Sequence, residues 1–175
     1  MKPKLAHPNE PAGVASDHHP AHAFSAMPGF KRILVPLDFS EGSLKALEYA
    51  LSLAARFHAR LILLHAVEPT VFPGSFQDLG ATVDLANQNL LQSGRERLAE
   101  LSEKRIGGRF PAELIVRVGH AHSEIPDTAR AVGADLIVLG ACSVPGQRQT
   151  PLGGTAERVL RHASCPVLTV PLPAG

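Results

Sequence analysis

Residues 32–51, which read RILVPLDFSEGSLKALEYAL, contain the pattern that decides the fold of this chain. They open with a continuous apolar run, residues 32–38, whose length and composition are typical of a strand buried on both faces of a sheet. Ser40 is a favourable N-cap, and Glu41 places a carboxylate in the first turn of a helix. The apolar face of that helix is predicted to consist of Leu44, Leu47, Leu51, Ala54 and Ala55. A buried strand followed directly by an amphipathic helix is the repeating unit of parallel α/β sheets.

The same alternation of apolar runs and amphipathic stretches continues towards the end of the chain. Further strands are predicted at 61–67, 112–118, 135–140 and 166–170. Further helices are predicted at 83–105, from a Ser123 cap to a terminating Gly133, and at 155–163. The pattern therefore predicts an α/β fold, a Rossmann-like three-layer sandwich in which four helices cover a five-stranded parallel sheet. Ligands of such sheets bind beyond the carboxyl ends of the strands, so the loops after the first and fourth strands are expected to carry function.

The composition supports a single globular domain. The chain has 175 residues, of which 45% are hydrophobic and 19% charged, and this length suits one domain. A formal net charge of +1 gives no electrostatic reason to expect nucleic acid or an anionic membrane as a partner. No apolar run approaches the roughly 18 residues that span a bilayer, and the N-terminus lacks the apolar region of a secretory signal. Cys142 and Cys165 form no spaced framework, which suits a reducing, cytoplasmic location.

Residues 1–28 differ in composition from the remainder of the chain. They are rich in Pro, Ala and His and show neither helical nor strand periodicity, so we predict a disordered tail followed by one domain over residues 29–173. The tail contains His7, His18, His19 and His22. No cysteine or carboxylate cluster completes a metal site around these histidines, and no metal is predicted.

Three segments resemble the universal stress protein family. ILVPLDFSEGSLKALEYAL resembles the opening strand, acidic turn and first helix of the family, and VRVGHAHSEIPDTARAVGADLIVLG is similar to its third strand through its fourth. GGTAERVLRHASCPVLTVP is similar to its last helix and edge strand. Order and spacing agree over about residues 30–172. The resemblance implies the strand order 3-2-1-4-5 and a homodimer formed through the last strand, from Pro166 to Val170.

Nucleotide-binding members of this family carry a glycine motif that the window GACSVPGQRQTPLGGT, residues 140–155, matches in part. Gly140 corresponds to the first glycine and Gly153 to the third, without insertion or deletion between them. Ser143 replaces the second glycine, and Gly154 stands where the family has Ser or Thr, although Thr155 follows immediately. The resemblance therefore implies ATP as a ligand, with a motif that is degenerate at two positions. The alternative is that Gly153 and Gly154 form a tight turn into a helix and bind nothing.

The resemblance also assigns residues outside the glycine motif to the site. Asp38 matches the family acid that faces the adenine and ribose, and the remaining pocket positions are Pro36, Leu37, Ala66 and Leu139. Asp38 has a local alternative, because an Asp beside a helix start often accepts backbone N–H groups. Ordinary core packing is the alternative for the apolar residues. His65 is predicted to be a hydrogen-bonded residue of its strand, and His120 and His122 to be surface-loop residues.

The resemblance implies a non-catalytic, ATP-binding stress-response regulator that acts as a homodimer. A function of another class is a dimeric interaction module of the same family that has lost nucleotide binding. A slow ATPase or nucleotidyl-transfer enzyme is a third candidate. The sequence contains no Walker A motif, no G-x-G-x-x-G and no Ser/His/Asp arrangement. We therefore expect a binding protein and not an enzyme.

Overall fold

A computed structural model describes residues 29–68, 80–141 and 153–172. In chain order the elements are β1 (Arg32–Pro36), α1 (Glu41–Phe57), β2 (Arg60–Val67), α2 (Gly80–Arg105), β3 (Ala112–Val118), α3 (Ala121–Val132), β4 (Leu136–Ala141), α4 (Gly154–His162) and β5 (Val167–Pro171). The strands form one five-stranded parallel sheet in the order β3-β2-β1-β4-β5. The predicted fold class and strand order are confirmed. The predicted tail, Cys142 and Ser143 lie outside the described residues.

The central strand β1 separates two apolar layers. It pairs with β2 on one side and β4 on the other, with Leu34 opposite both Ile62 and Ile137. Ile33 and Val35 pack towards α1 and α2, whereas Leu34 packs towards α3 and α4. Residues alternate between the two faces of a strand, and both faces are covered here. This explains why the strand reads as an uninterrupted apolar run.

The start of α1 agrees with its sequence pattern. Ser40 Oγ accepts a hydrogen bond from the Ser43 amide at 3.3 Å, which confirms the predicted cap. Leu47 and Ala54 are buried as predicted. Ala55 is exposed, because the next residue of a helix lies 100° around its axis, and its place on the apolar face was wrong.

The start of α3 differs from the prediction. Ser123 was expected to cap this helix, yet the N-cap is His120, so the helix begins three residues earlier than predicted. The His120 carbonyl already accepts the amides of Ser123 and Glu124 at 2.9 and 3.0 Å, so Ser123 lies within the first turn. The end of the helix is as predicted, since Gly133 adopts the left-handed conformation (φ 61°) that closes helices. In the described ranges of the chain, no helix has the length and apolarity that crossing a membrane requires.

Candidate functional site

A cavity of about 310 Å³ lies beyond the carboxyl ends of β1 and β4. Its floor is apolar and contains Pro36, Leu37, Leu64, Ala66 and Leu139. The first turns of three helices, α1, α3 and α4, form the remaining walls together with Ile125 and Leu172. The cavity therefore occupies the position at which open parallel sheets bind ligands.

All but one of the residues that the sequence assigned to the site line this cavity. They are Pro36, Leu37, Asp38, Ala66, Leu139, Gly140, Gly153, Gly154 and Thr155. The remaining one, Ser143, lies outside the described residues. The fold thus brings segments from β1, β2, β4 and α4 to one place, while the role of each residue towards a ligand stays a prediction.

Asp38 forms a local turn with the helix that follows it. Its Oδ1 accepts hydrogen bonds from the amide and the hydroxyl of Ser40, at 2.9 and 2.5 Å. Burial opposes ionisation of this carboxyl group, but the hydrogen bonds from Ser40 and Ser43 outweigh it, so the pKa of Asp38 is lowered below its ordinary value. Asp38 is therefore a carboxylate at neutral pH. Asp38 thus accepts hydrogen bonds at the helix start, as the structural alternative to a ligand role predicted. It also lines the cavity, so the two interpretations are compatible.

Gly140 is required by packing alone. A Cβ atom at this position would lie 2.5 Å from the carbonyl carbon and oxygen of Gly42 and 2.8 Å from the Ser43 nitrogen. These are backbone atoms, which cannot rotate away as the end of a side chain can. The end of β4 and the first turn of α1 thus touch through their backbones, which gives the glycine a reason that is independent of any phosphate.

The first turn of α4 is open by comparison. Gly153 precedes the helix with φ 77° and offers no side chain to cap it. A Cβ atom at Gly154 would meet none of the described residues within 4 Å, and Thr155 is exposed. The residue that precedes α3, His120, likewise makes no side-chain cap bond among the described residues. Free amides and the helix dipole make such N-termini suited to an anion.

The first turn of α1 has the opposite character. Its amides are capped by Ser40, and Glu41 adds a carboxylate to the wall of the cavity. An anionic group is therefore favoured on the α3 and α4 side, and an uncharged polar group on the Asp38 side. Among the described lining residues both carboxylates lie on the α1 side, whereas Glu124 and Glu157, in the first turns of α3 and α4, do not line the cavity.

Several lining residues were not predicted from the sequence. They are Ser40, Glu41, Gly42, Ser43, Leu64, Ala121, Ile125, Ala156 and Leu172. Ser40, Glu41, Gly42 and Ser43 directly follow β1 at the switch point of the sheet, so the rule that pointed to the loop after the first strand would have found them. Leu172 carries no such signal, because its place depends on the path of the chain after an edge strand.

The candidate histidines lie mainly where they were predicted. His65 donates from Nδ1 to the Leu37 carbonyl at 2.7 Å, which confirms a hydrogen-bonded residue of its strand. His120 is exposed before α3, and its ring stacks on that of His122 with centroids 5.6 Å apart. His122 belongs to α3 and is half-buried, so its assignment to a surface loop was wrong. Across residues 29–68, 80–141 and 153–172, no group of three or more His, Cys, Asp or Glu side chains is arranged to hold a metal ion.

Comparisons with known proteins place this geometry in context. The model of the universal stress protein family matches residues 29–171. A universal stress protein of Methanocaldococcus jannaschii is 32% identical over 146 residues, which are 82% of this chain and 84% of the relative. Universal stress protein A homolog 2 of Coxiella burnetii is 36% identical over 146 residues, covering 82% of this chain and 97% of the relative.

Solved structures share the fold. A second M. jannaschii protein superposes with a TM-score of 0.71 at 24% identity and covers 85% of this chain and 100% of its own. A universal stress protein in complex with cAMP has a TM-score of 0.56 at 23% identity, over 82% of this chain and 98% of its own. A family protein of Arabidopsis thaliana with AMP bound has a TM-score of 0.53 at 19% identity, over 82% and 93%.

Proposed function

This chain belongs to the universal stress protein family, and we propose that it is a non-catalytic stress-response regulator that binds an adenine nucleotide in the cavity beyond β1 and β4. One observation carries the proposal: an apolar floor, an ionised carboxylate and two helix N-termini without side-chain caps line the same cavity. A nucleotide has the matching parts, namely an apolar base, hydroxyl groups and an anionic phosphate.

The asymmetry of the cavity suggests an orientation for the nucleotide. The base would lie on the apolar floor near Leu37 and Ala66, with the sugar towards Asp38. The phosphate would lie at the first turn of α4, where the backbone of Gly153 and Gly154 permits close approach. The family structures that hold cAMP and AMP support an adenine nucleotide as the ligand class.

Among adenine nucleotides we propose ATP as the ligand, because the resemblance to the family's glycine motif implies it. Gly154 offers no hydroxyl group to the phosphates, but Thr155 is exposed beside it and lines the cavity. The departure at Gly154 is also what favours the second candidate function, an interaction module of the same family without nucleotide binding. The described lining residues include the carboxylates of Asp38 and Glu41 but no histidine, lysine or arginine. Because the sequence contains neither a Walker A motif nor a G-x-G-x-x-G motif, we propose binding and not phosphoryl transfer.

Calorimetric titration with ATP, AMP and cAMP tests the proposal. Asp38→Ala should weaken binding about tenfold, because it removes a hydrogen-bonding carboxylate worth about 1–2 kcal/mol. Gly153→Val should weaken it at least as much, since a β-branched residue is strained at φ 77°. Glu113→Ala, on the exposed edge strand β3, is the matched control and should bind as the wild type does. Wild-type protein that binds none of the three nucleotides would favour the interaction module.

We also propose that the protein is a homodimer formed through β5. This strand lies at the edge of the sheet, pairs only with β4 among the described strands and exposes 37% of Leu168. An unpaired apolar edge is a site of association unless another strand covers it. A twofold partner that contributes the same strand would cover it symmetrically.

The dimer is tested by light scattering at micromolar concentration. Leu168→Lys should produce a monomer, because it places a charge in the interface. Leu114→Lys is the control: Leu114 is 39% exposed on β3, at the opposite edge, and its variant should remain dimeric. Val170 is unsuitable for this test because it is buried in the core of its own subunit. A monomeric wild type, or dissociation by the Leu114 substitution alone, would exclude the β5 interface.

A further inference from the structure

Phe39, between Asp38 and Ser40, has an unusual backbone. Its φ of 64° lies in the left-handed region, which residues other than glycine rarely occupy. Both hydrogen bonds that Asp38 Oδ1 accepts from Ser40 span this residue. The conformation of Phe39 therefore sets the direction in which the Asp38 carboxylate points.

Two side chains from other elements hold the Phe39 ring. The Arg97 guanidinium carbon, on α2, lies 3.9 Å from the ring centroid in a cation–π contact. The His65 ring, on β2, meets the Phe39 ring with centroids 4.7 Å apart and planes at 61°. His65 also donates to the carbonyl of Leu37 at 2.7 Å, so it fixes the chain on the other side of Asp38. The acidic turn is thus held from β2 and from α2.

Gly94 allows α2 to come close enough for this contact. A Cβ atom at Gly94 would lie 2.9 Å from Val116 Cγ1 and 3.1 Å from His65 Cδ2. Arg97 follows three residues later, on the same side of the helix, and so reaches Phe39. The seating of α2 on the sheet is thereby connected to the turn after β1.

We propose that Arg97, Phe39 and His65 form a positioning cluster that fixes the Asp38 carboxylate at the cavity, so that the packing of α2 on the sheet sets the affinity of the site. The nucleotide part of this statement rests on the proposed function. None of the three side chains is among the described residues that line the cavity. They act on a ligand only through the direction of Asp38 and are positioning residues.

The test replaces Arg97 and follows Asp38 directly. Arg97→Met keeps the aliphatic stem and removes the cation, whereas Arg97→Lys keeps a cation. Arg95→Met is the matched control, because Arg95 is exposed on the same helix and makes no ring contact or ion pair within the described residues. The readouts are the pKa of Asp38 from carboxyl NMR titration and the affinity for AMP from calorimetry.

Arg97→Met should raise the pKa of Asp38 towards its ordinary value, since a released turn weakens the Ser40 hydrogen bonds. It should also weaken AMP binding about threefold, the loss that corresponds to one exposed cation–π contact. Arg97→Lys should keep both the pKa of Asp38 and the affinity for AMP close to the wild-type values. Arg95→Met should change neither quantity.

A fall in melting temperature with an unchanged Asp38 pKa would show that the cluster only stabilises the fold, and would overturn the proposal. An altered pKa with unchanged affinity, in a wild type that binds AMP, would overturn the link to the cavity. If the wild type binds no nucleotide, the proposed function fails, and the pKa measurement still decides whether the cluster positions Asp38.

Discussion

The two ends of the cavity are built on different principles. At the α1 end, polar groups already have partners: Ser40 caps the helix, Asp38 accepts from Ser40, and Gly140 touches the backbone of Gly42. At the α4 end, Gly153 and Gly154 offer no side chains, and no described residue would lie within 4 Å of a Cβ atom at Gly154. The polar groups named at the first end are paired with one another by folding, whereas the first amides of α4 at the second end have no partner within their helix.

Because the two ends differ, the motif residues do not all support nucleotide binding equally strongly. Gly140 would be needed in a protein that binds nothing, because any side chain there collides with α1. Asp38 similarly has a structural task in the turn. Agreement with the family at these two positions therefore supports the fold more than the ligand. Among the motif residues, the support for binding therefore depends most on Gly153 and Thr155 at the α4 end, where Gly154, one of the two departures from the family motif, also lies.

The largest expected effect is on stability at the α1 end. Gly140→Ala should lower the free energy of unfolding by about 3 kcal/mol, because its Cβ overlaps backbone atoms of α1 that cannot move without shifting the helix. Gly154→Ala, the same change at the open end, should alter it by less than about 0.5 kcal/mol. Urea unfolding measures both. Equal stabilities for the two variants would mean that the ends do not differ as described.

The fold was predictable because its signal is distributed along the whole chain. Apolar runs predict the strands, and the apolar faces of the amphipathic segments predict the helices that cover the sheet. Strand β3, for example, has the bounds that the pattern predicted. The start of α3 was not predictable in the same way. Ser123 is a good cap by type, yet the turn at Gly119 and His120 begins the helix before it. The preference of serine for the N-cap position does not decide where a helix starts when the preceding residues can already form helical hydrogen bonds.

The site was predictable where it follows the ends of strands. The switch-point rule selected the loops after β1 and β4, and the family resemblance identified Asp38 and Gly140 within them. The contacts that hold them in place were not found, since they join distant segments. Nothing in the sequence near Arg97 indicates that it lies over Phe39, and nothing near Gly140 names Gly42 as its neighbour. Such pairs depend on how closely helices approach the sheet.

A smaller effect concerns the charge of Asp38. Its pKa in the folded protein is lowered from an ordinary value of 3.8, so the stabilisation it contributes is present above that pH and is lost as the pH falls through the folded-state pKa. Asp38→Asn should therefore lower the free energy of unfolding at pH 7 by about 0.5–1 kcal/mol, a modest value because water reaches and screens this partly buried group.

The difference between wild type and Asp38→Asn should shrink in urea unfolding at pH 3. Ser40→Ala removes the hydroxyl donor and should reduce the pH dependence in the same sense. A stability difference that is the same at both pH values would show that the turn does not depend on the charge of Asp38. The hydrogen bonds between Asp38 and Ser40 would then contribute little to the stability of the α1 end.

The smallest effect is expected from Gly154→Ser at the open end. A serine there would displace no atom of the described residues, since its Cβ would meet none of them within 4 Å, and the residue begins α4 with no positive φ to disfavour a side chain. The hydroxyl would add a donor for an anion beside the first amides of the helix, which have no partner within it. Water competes with this hydrogen bond at an exposed position, so the gain in ATP affinity should be only about threefold, or about 0.7 kcal/mol.

Calorimetry of Gly154→Ser and Gly154→Ala with ATP separates the hydroxyl from the added Cβ. An equal gain in both variants would attribute the effect to a stiffer backbone. A gain in Gly154→Ser alone would show that the α4 end accepts an anion even though it lacks the family hydroxyl. If neither variant nor the wild type binds ATP, the free amides of α4 are satisfied by water. The open end of the cavity would then be a turn and not a site, as the interaction-module function requires.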